Sequence, residues 1–293
     1  MKGWRLGKGY WLVVAGLFIV LVGLRTGAAQ QSSASAQQKN TPVQQAQSPT
    51  LHDILQRLEE NLDQYKTLVP SFFADEHVVS SRSDGDVTTT DSTFRLKRVT
   101  GSDLKSVLEE SHEVKKVNGW PAAGDAVGGP TSLSGAFSGG YALVSLSQQV
   151  CMRYMLKPIK PNHPNEPYIV KFASVSASER PDDCLLHDDN TGRVLIDPAT
   201  MQIKRMEFHA PHHLISPAVD ASSVSPIVGR WDVFVEYAPV LLGGKSFWLP
   251  TKISERMIDS SRKNEWKYDA AYSNYHKLEV TSRILPYSEA PAQ

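Results

Sequence analysis

A group of three histidines is the first candidate for metal chemistry in this sequence. His209, His212 and His213 lie on either side of Pro211, and Glu207 precedes them. Neutral imidazoles at close spacing can bind zinc or copper, and a nearby carboxylate could add an oxygen ligand. Pro211 interrupts any helix that would align the rings, and the zinc-protease pattern HExxH is not found. The spacing therefore favours solvated loop histidines that bind no metal.

Two short motifs resemble fragments of nucleotide-binding and hydrolase sites. Gly244-Lys245-Ser246 matches the end of a phosphate-binding loop, but Pro239 stands where that loop needs its first glycine. Ser138 would need a glycine two residues before it to form a hydrolase elbow, and that residue is Ala136. We predict a hairpin turn at the first motif and a flexible loop at the second. The sequence assigns no catalytic residue and no cofactor.

The composition of the whole chain is that of a globular protein. The 293 residues are 41% hydrophobic and 21% charged, and the formal net charge is zero. These values exclude a disordered chain, a collagen, a coiled coil and a polytopic membrane protein. A neutral balance also argues against nucleic-acid binding, which usually requires a basic surface.

Residues 1–29 have the features of an export signal. Lys2, Arg5 and Lys8 form a positive start, residues 10–24 are almost wholly apolar, and small residues precede Gln30. An apolar run of about 15 residues is shorter than the ~20 that span a bilayer. We predict a cleaved signal peptide and a periplasmic or secreted protein. The alternative is an inner-membrane anchor through residues 10–24.

The rest of the chain divides by composition into three parts. Residues 30–50 are rich in Gln, Ser and Ala and have too few large apolar side chains to fold, so they predict a disordered tether. Residues 51–287 predict a single β-rich domain, and residues 288–293 a C-terminal tail.

One amphipathic helix opens the domain, and strands follow it. Thr50 is a good N-cap, Pro70 ends the pattern, and apolar residues recur between them at helical spacing: Leu51, Ile54, Leu55, Leu58 and Leu62. The period then changes to two, with about ten strands at hairpin spacing. Strands and helices do not alternate, which argues against a parallel sheet. We predict a mainly β, α+β fold with an antiparallel sheet.

The two cysteines, Cys151 and Cys184, flank two of the predicted strands. In an oxidising compartment they predict a structural disulfide. Two free buried thiols are the alternative, and the absence of a CxxC motif argues against redox chemistry.

Three stretches resemble a known superfamily. They are the end of the helix at 65–72, the strand and turn at 192–205, and Val235-Glu236-Tyr237 with 247–250. With the export signal and tether, this order of elements resembles the periplasmic lipoprotein-sorting carriers, the lipoprotein receptor and the envelope-stress sigma regulators. The resemblance covers about 51–285. It implies an open half-barrel, curled around a helical plug, whose concave apolar face takes acyl chains.

The sequence therefore predicts an exported, non-enzymatic binding protein that takes a lipid or an acylated protein in the concave face of its sheet. A sheet of about ten strands must curl, and one helix covers only part of its apolar face. The Gly-rich segment 120–140 is a candidate lid. The candidate ligand-binding residues are Phe94, Leu96, Trp231, Val233, Val235 and Tyr237.

Two other functions are compatible with the same residues. One is an envelope interaction or structural module that holds no small ligand. The other is a hydrolase or metal enzyme built on the loops at 120–140 and 207–213. In each case we expect no nucleic-acid partner. Proximity to a membrane surface is compatible with a tether that lets the domain stand off from the membrane or from its cleaved end.

Overall fold

The computed structural model describes residues 48–100, 106–123, 135–137, 140–159, 163, 165–215, 227–260 and 264–279. The predicted signal peptide, the tether up to residue 47, the C-terminal tail and most of the candidate lid lie outside the described residues. Within the described ranges, no helix is long and apolar enough to cross a membrane.

Helix α1 (Leu51–Leu68) begins at the predicted cap. The Asp53 carboxylate accepts a hydrogen bond from the Thr50 backbone N–H at 2.8 Å, and the Asp53 N–H donates to the Thr50 hydroxyl at 3.2 Å. This reciprocal pair satisfies donors that a helix start otherwise leaves unpaired. The helix ends at Val69, directly before Pro70. Its buried side chains form one stripe: Ile54, Leu55, Leu58, Leu62 and Tyr65.

Eleven strands follow α1 in the described chain. They are β1 (Phe72–Arg82), β2 (Val87–Thr100), β3 (Ser106–Val117), β4 (Trp120–Pro121), β5 (Met152–Leu156), β6 (Tyr168–Ser174), β7 (Thr191–Ile196), β8 (Ile203–Ile215), β9 (Ile227–Leu242), β10 (Lys245–Asp259) and β11 (Glu265–Lys277). Two 3-10 helices, Gly140–Leu143 and Leu146–Val150, precede β5.

All eleven strands belong to one antiparallel sheet in the order β4-β3-β2-β1-β11-β10-β9-β8-β7-β6-β5. The sheet is not closed, and it curls around α1. Strands β1 to β4 extend to one edge, whereas β5 starts at the opposite edge and the chain returns to the middle at β11. The connection from β4 to β5 must therefore cross the whole sheet. This is the architecture that the resemblance implies.

The two faces of the sheet differ in chemistry. The inner face carries α1 and the core, and alternate strand residues such as Phe72, Phe94, Ile253 and Val235 are almost fully buried on it. The outer face carries the intervening polar and charged residues. On the inner face a Cβ at Gly192 would lie 2.2 Å from the Phe172 ring, so only glycine lets that ring lie over β7.

The structure differs from the sequence prediction in two places. The histidine group lies in strand β8, not in a loop, because β8 carries a bulge between Ala210 and His213 that accommodates Pro211. Trp120 and Pro121, predicted as the start of a loop, form the short edge strand β4. The turn at Gly243-Gly244 is the predicted hairpin, and both glycines have positive φ.

Candidate functional site

An aromatic cluster fills the inner face between α1 and the middle of the sheet. The rings of Phe94 and Phe137 stack with centroids 4.2 Å apart, and Tyr272 meets Phe137 edge-on at 4.9 Å. Phe72 lies 6.1 Å from both phenylalanines. Phe137 belongs to neither a helix nor a strand, because it lies on the connection that crosses the sheet. A connecting segment thus supplies a central part of the core.

Three hydrogen bonds hold Phe137 in this cluster. The Glu110 carboxylate accepts from the backbone N–H of Gly135 at 2.8 Å and from that of Phe137 at 3.0 Å. The Tyr65 hydroxyl of α1 donates to the Phe137 carbonyl at 2.7 Å. Phe137 is only 2% exposed. The segment is therefore fixed to β3 on one side and to the helix on the other.

A buried carboxylate adjoins the aromatic cluster. Glu76 is 3% exposed on the inner face of β1, and its Oε2 lies 2.8 Å from His112 Nδ1. Burial opposes protonation of His112, but the hydrogen bond and the charge of Glu76 raise its pKa above the ordinary value. Burial, together with the charge of Glu76, also raises the pKa of Tyr268 and Tyr272.

A second buried carboxylate lies further along the inner face, on β10. Glu255 is 8% exposed and accepts a hydrogen bond from Trp231 Nε1 at 2.5 Å. His213 stacks on Trp231 at 4.4 Å, and its Nδ1 lies 2.6 Å from Asp188. Burial raises the pKa of Glu255, against the Trp231 hydrogen bond and the charge of His213.

Both carboxylates keep one oxygen without a partner. Glu76 Oε1 and Glu255 Oε2 are buried and form no hydrogen bond within the described structure. Buried carboxylate oxygens are normally satisfied by donors, so these two atoms can accept from a further group. The alternation of buried residues in β1 and β10 placed both glutamates on the inner face, but the sequence alone did not single them out.

The six candidate ligand-binding residues all lie on the inner face, in two groups. Phe94 and Leu96 are on β2 and are 0% exposed. The second group lies on β9, four strands away in the sheet order. In it Val233, Val235 and Tyr237 are buried, and Trp231 is half-buried. Five of the six belong to one hydrophobic core cluster, and Trp231 packs against that cluster.

A small groove opens beside the second half of α1. Its volume is about 130 Å³, and Leu68 of the helix lines it together with Phe247 and Trp248 of β10. Leu68 is 50% exposed. Polar side chains line the rest of the groove, so it is a cleft of mixed polarity beside the helix: Asn61, Gln64, Gln202, Lys245 and Ser246.

The predicted disulfide is present. Cys151 and Cys184 are bonded, with Cα atoms 5.7 Å apart, and the described chain has no free cysteine. The bond ties the start of β5, an edge strand, to the segment before β7.

Two of the three histidines of β8 have carboxylate neighbours. His209 pairs with Asp232 on β9, and His213 pairs with Asp188. Across the described ranges, no group of three His, Cys, Asp or Glu side chains could hold a metal ion.

Comparison with known proteins shows that the fold of this chain is similar to solved structures. No family model and no curated protein matches the chain. A DUF1329 family protein from Desulfovibrio piger is similar over 77% of this chain and 92% of its own, with 13% identity and a TM-score of 0.38. A LolA superfamily protein from Nitrosomonas europaea is similar over 82% of this chain and 96% of its own, with 14% identity and a TM-score of 0.31.

Proposed function

We propose that this chain is an exported, non-enzymatic binding protein that takes a hydrophobic ligand, a lipid or an acylated protein, on the inner face of its sheet. The proposal rests on the position of Phe137. Its ring occupies the space between α1 and the sheet, yet it comes from a connecting segment and not from the framework. When the segment moves away, an apolar space opens without loss of any helix or strand.

The ligand would occupy the space that Phe137 vacates. Phe94 and Leu96 of β2 would line one end of this space, and Trp231, Val233, Val235 and Tyr237 of β9 would line the other. The groove beside Leu68 supports entry along α1. The unpartnered oxygens of Glu76 and Glu255 would accept hydrogen bonds from a polar end of the ligand.

The disulfide supports the exported location in this proposal. Disulfides persist in oxidising compartments and are rare in the reducing cytosol. The mature protein is then expected to begin near Gln30. Full-length protein that stays in the inner membrane would instead support the anchor through residues 10–24.

A second function, an interaction module without a small ligand, is favoured by a different observation. Phe94, Leu96 and Phe137 are already buried by the protein's own side chains, so the described residues fill the space around these three. In that case the surface of the sheet, and not its interior, would bind a partner.

Binding of an apolar fluorescent probe separates the two functions. We expect the full chain to raise the fluorescence of the probe, and a fatty acid to displace it. Phe137→Ala should increase the amount of probe bound, because it removes the side chain that fills the space. Phe172→Ala, a buried phenylalanine on β6, controls for general loosening of the core. Absence of probe binding in both the unmodified chain and Phe137→Ala would leave only the interaction module.

A further inference from the structure

An open basin of about 1020 Å³ lies on the outer face of strands β5 to β11. Most of its lining side chains point away from α1 and the core, although Val233 and Glu255 of the inner face also border it. Seven Lys or Arg side chains line the basin. Strands β5 to β8 supply Arg153, Lys171, Arg193 and Arg205. Strands β9 to β11 supply Arg230, Arg256 and Lys267. Four carboxylates also line the basin, Glu207, Asp232, Glu255 and Asp269, so the seven cations leave a formal excess of three positive charges in its lining.

Two pairs of like charges lie directly opposite each other in this basin. Lys171 of β6 faces Arg193 of β7, and Arg256 of β10 faces Lys267 of β11. Side chains at such positions have Cβ atoms about 5 Å apart, and like charges there destabilise the sheet. The folded protein therefore bears an electrostatic cost that an anion between the paired side chains would relieve.

The protein's own carboxylates neutralise these pairs only in part. Arg193 forms two hydrogen bonds with Glu207, at 2.6 and 2.9 Å. Arg256 and Lys267 share Glu265, at 2.6 and 3.4 Å. Lys171 has no carboxylate within ion-pair distance in the described part of the chain. Asp269 also lines the basin beside the Arg256–Lys267 pair, so the excess of positive charge is greater at the Lys171–Arg193 pair.

A guanidinium in a fixed orientation lies on strand β8, between the two pairs. The Arg205 guanidinium lies 3.9 Å from the centroid of the Phe234 ring, and its Nε is 3.2 Å from Glu207. Stacking on an aromatic ring orients a guanidinium and reduces the rotamer entropy that a bound anion would otherwise have to overcome.

We propose that this basin binds a multivalent, phosphate-bearing anion whose phosphates contact the Lys171–Arg193 and Arg256–Lys267 pairs. The two pairs are four strand spacings apart, about 19 Å, so a single phosphate cannot reach both. An arginine fork and a neighbouring ammonium can bind one phosphate together through charge-assisted hydrogen bonds. Such an array of phosphates occurs in the headgroups of an anionic lipid surface or in a soluble polyphosphate.

Binding measurements on the full chain test the proposal and distinguish the two sources. Short-chain inorganic polyphosphate is titrated by calorimetry beside inorganic phosphate and polyglutamate. Co-sedimentation compares phosphatidylcholine vesicles with vesicles that contain about a quarter phosphatidylglycerol. The test variant is Lys171→Gln with Lys267→Gln. The matched control is Lys115→Gln with Lys116→Gln, two exposed lysines of β3 outside the basin.

We expect polyphosphate to bind more tightly than phosphate or polyglutamate, and the test variant to weaken it about tenfold while the control does not. Retention on the anionic vesicles only, lost in the test variant, would identify a lipid surface as the source. Binding of polyphosphate without vesicle retention would identify a soluble ligand. The proposal is overturned if neither probe binds, if polyglutamate binds as tightly as polyphosphate, or if the control variant loses as much affinity as the test variant.

Discussion

Glu110 accepts a hydrogen bond from the backbone N–H of Phe137 at 3.0 Å, and through it strand β3 holds the crossing connection against the inner face. The same carboxylate also accepts from Gly135. One side chain therefore fixes the segment that carries the ring at the centre of the aromatic cluster. Access to the proposed ligand site would depend on these two bonds together with the bond from the Tyr65 hydroxyl to the Phe137 carbonyl.

Replacing Glu110 tests this dependence. Glu110→Ala leaves two backbone N–H groups without their charged acceptor and should lower the free energy of unfolding by about 1–3 kcal/mol. Hydrogen exchange at residues 135–137 should become faster, and so should exchange of a bound apolar probe. Glu109→Ala is the matched control, because Glu109 is exposed on the outer face of β3. Unchanged exchange at 135–137 in Glu110→Ala would show that the Phe137 ring and the Tyr65 hydrogen bond hold the segment without Glu110.

The His112–Glu76 pair predicts a pH dependence of stability. Burial opposes the charged imidazole, but Glu76 raises the pKa of His112 overall. A group whose folded pKa is raised stabilises the fold fully below its unfolded pKa, about 6.5, and loses that contribution as pH rises through the folded pKa. We expect the free energy of unfolding to fall as pH rises across neutrality, and to fall less in His112→Gln. Chemical denaturation at several pH values measures both.

The control for that experiment is His77→Gln. His77 also lies beside a carboxylate, that of Asp91, but its side chain is 56% exposed. If His112→Gln and His77→Gln gave the same pH profile as the unmodified chain, the His112–Glu76 pair would contribute nothing to the pH dependence.

Glu255 predicts a pH dependence of the same sign, in which the free energy of unfolding falls as pH rises, but here it is the neutral variant that should be the more stable protein. Burial raises the pKa of this carboxyl group, so its ionisation costs stability as pH rises through the folded pKa. Glu255→Gln retains an oxygen for Trp231 Nε1 and removes the charge. The variant should be more stable than the unmodified chain at neutral pH and equally stable in acid, where Glu255 is protonated. A variant that is less stable at neutral pH would show that the charge has a partner that matters more than its burial.

The disulfide should contribute measurably to stability. Cys151 and Cys184 are 33 residues apart, and a cross-link over a loop of this size is worth about 2–4 kcal/mol in the chain-entropy model. Cys151→Ala with Cys184→Ala should lose that amount in denaturant unfolding. Intact mass with and without reductant checks the bond itself, and two thiols that alkylate before reduction would contradict it.

Local chemistry was sufficient to predict the framework. The Thr50 cap, the stripe from Ile54 to Leu62 and Pro70 define α1 through interactions within a few residues, and the structure confirms each of them. The period-two segments and the turn at Gly243-Gly244 likewise predicted antiparallel strands. Such signals depend only on residues that are close together in the chain, so they can be recognised in the sequence without knowing which distant residues are in contact.

The candidate site depends on contacts between distant residues, and the sequence contains no local signal for them. Phe137 lies in a Gly-rich stretch typical of a loop, and only the crossing from β4 to β5 places it against Phe94. Side chains alternate between the two faces along β1 and β10, and Glu76 and Glu255 occupy positions that face inward, where apolar residues are usual. An inward carboxylate in such a pattern is the one signal that could have identified them.

The charged residues of the outer basin could also have been predicted from the alternation of inward and outward side chains along the strands. Outward positions of β7 and β8 carry Arg193, Arg205 and Glu207, so the charges are visible in the sequence as a solvated face. Which of them lie opposite each other depends on strand register. The bulges in β8 and β10 shift that register by amounts that no local pattern specifies.

The seam between β1 and β11 has a consequence for how the chain folds. Strands β1 to β4 and β5 to β11 each form by successive local hairpins, whereas the seam joins residues such as Asp75 and Asn274, 199 positions apart. Pairings of such high contact order form slowly, because the loop-closure entropy must be overcome first. Until the seam closes, β1 and β11 are unpaired edges of 11 and 13 residues, long enough to pair with another copy. Refolding yield should therefore fall as protein concentration rises, and the folding chain is exposed to aggregation chiefly at this seam.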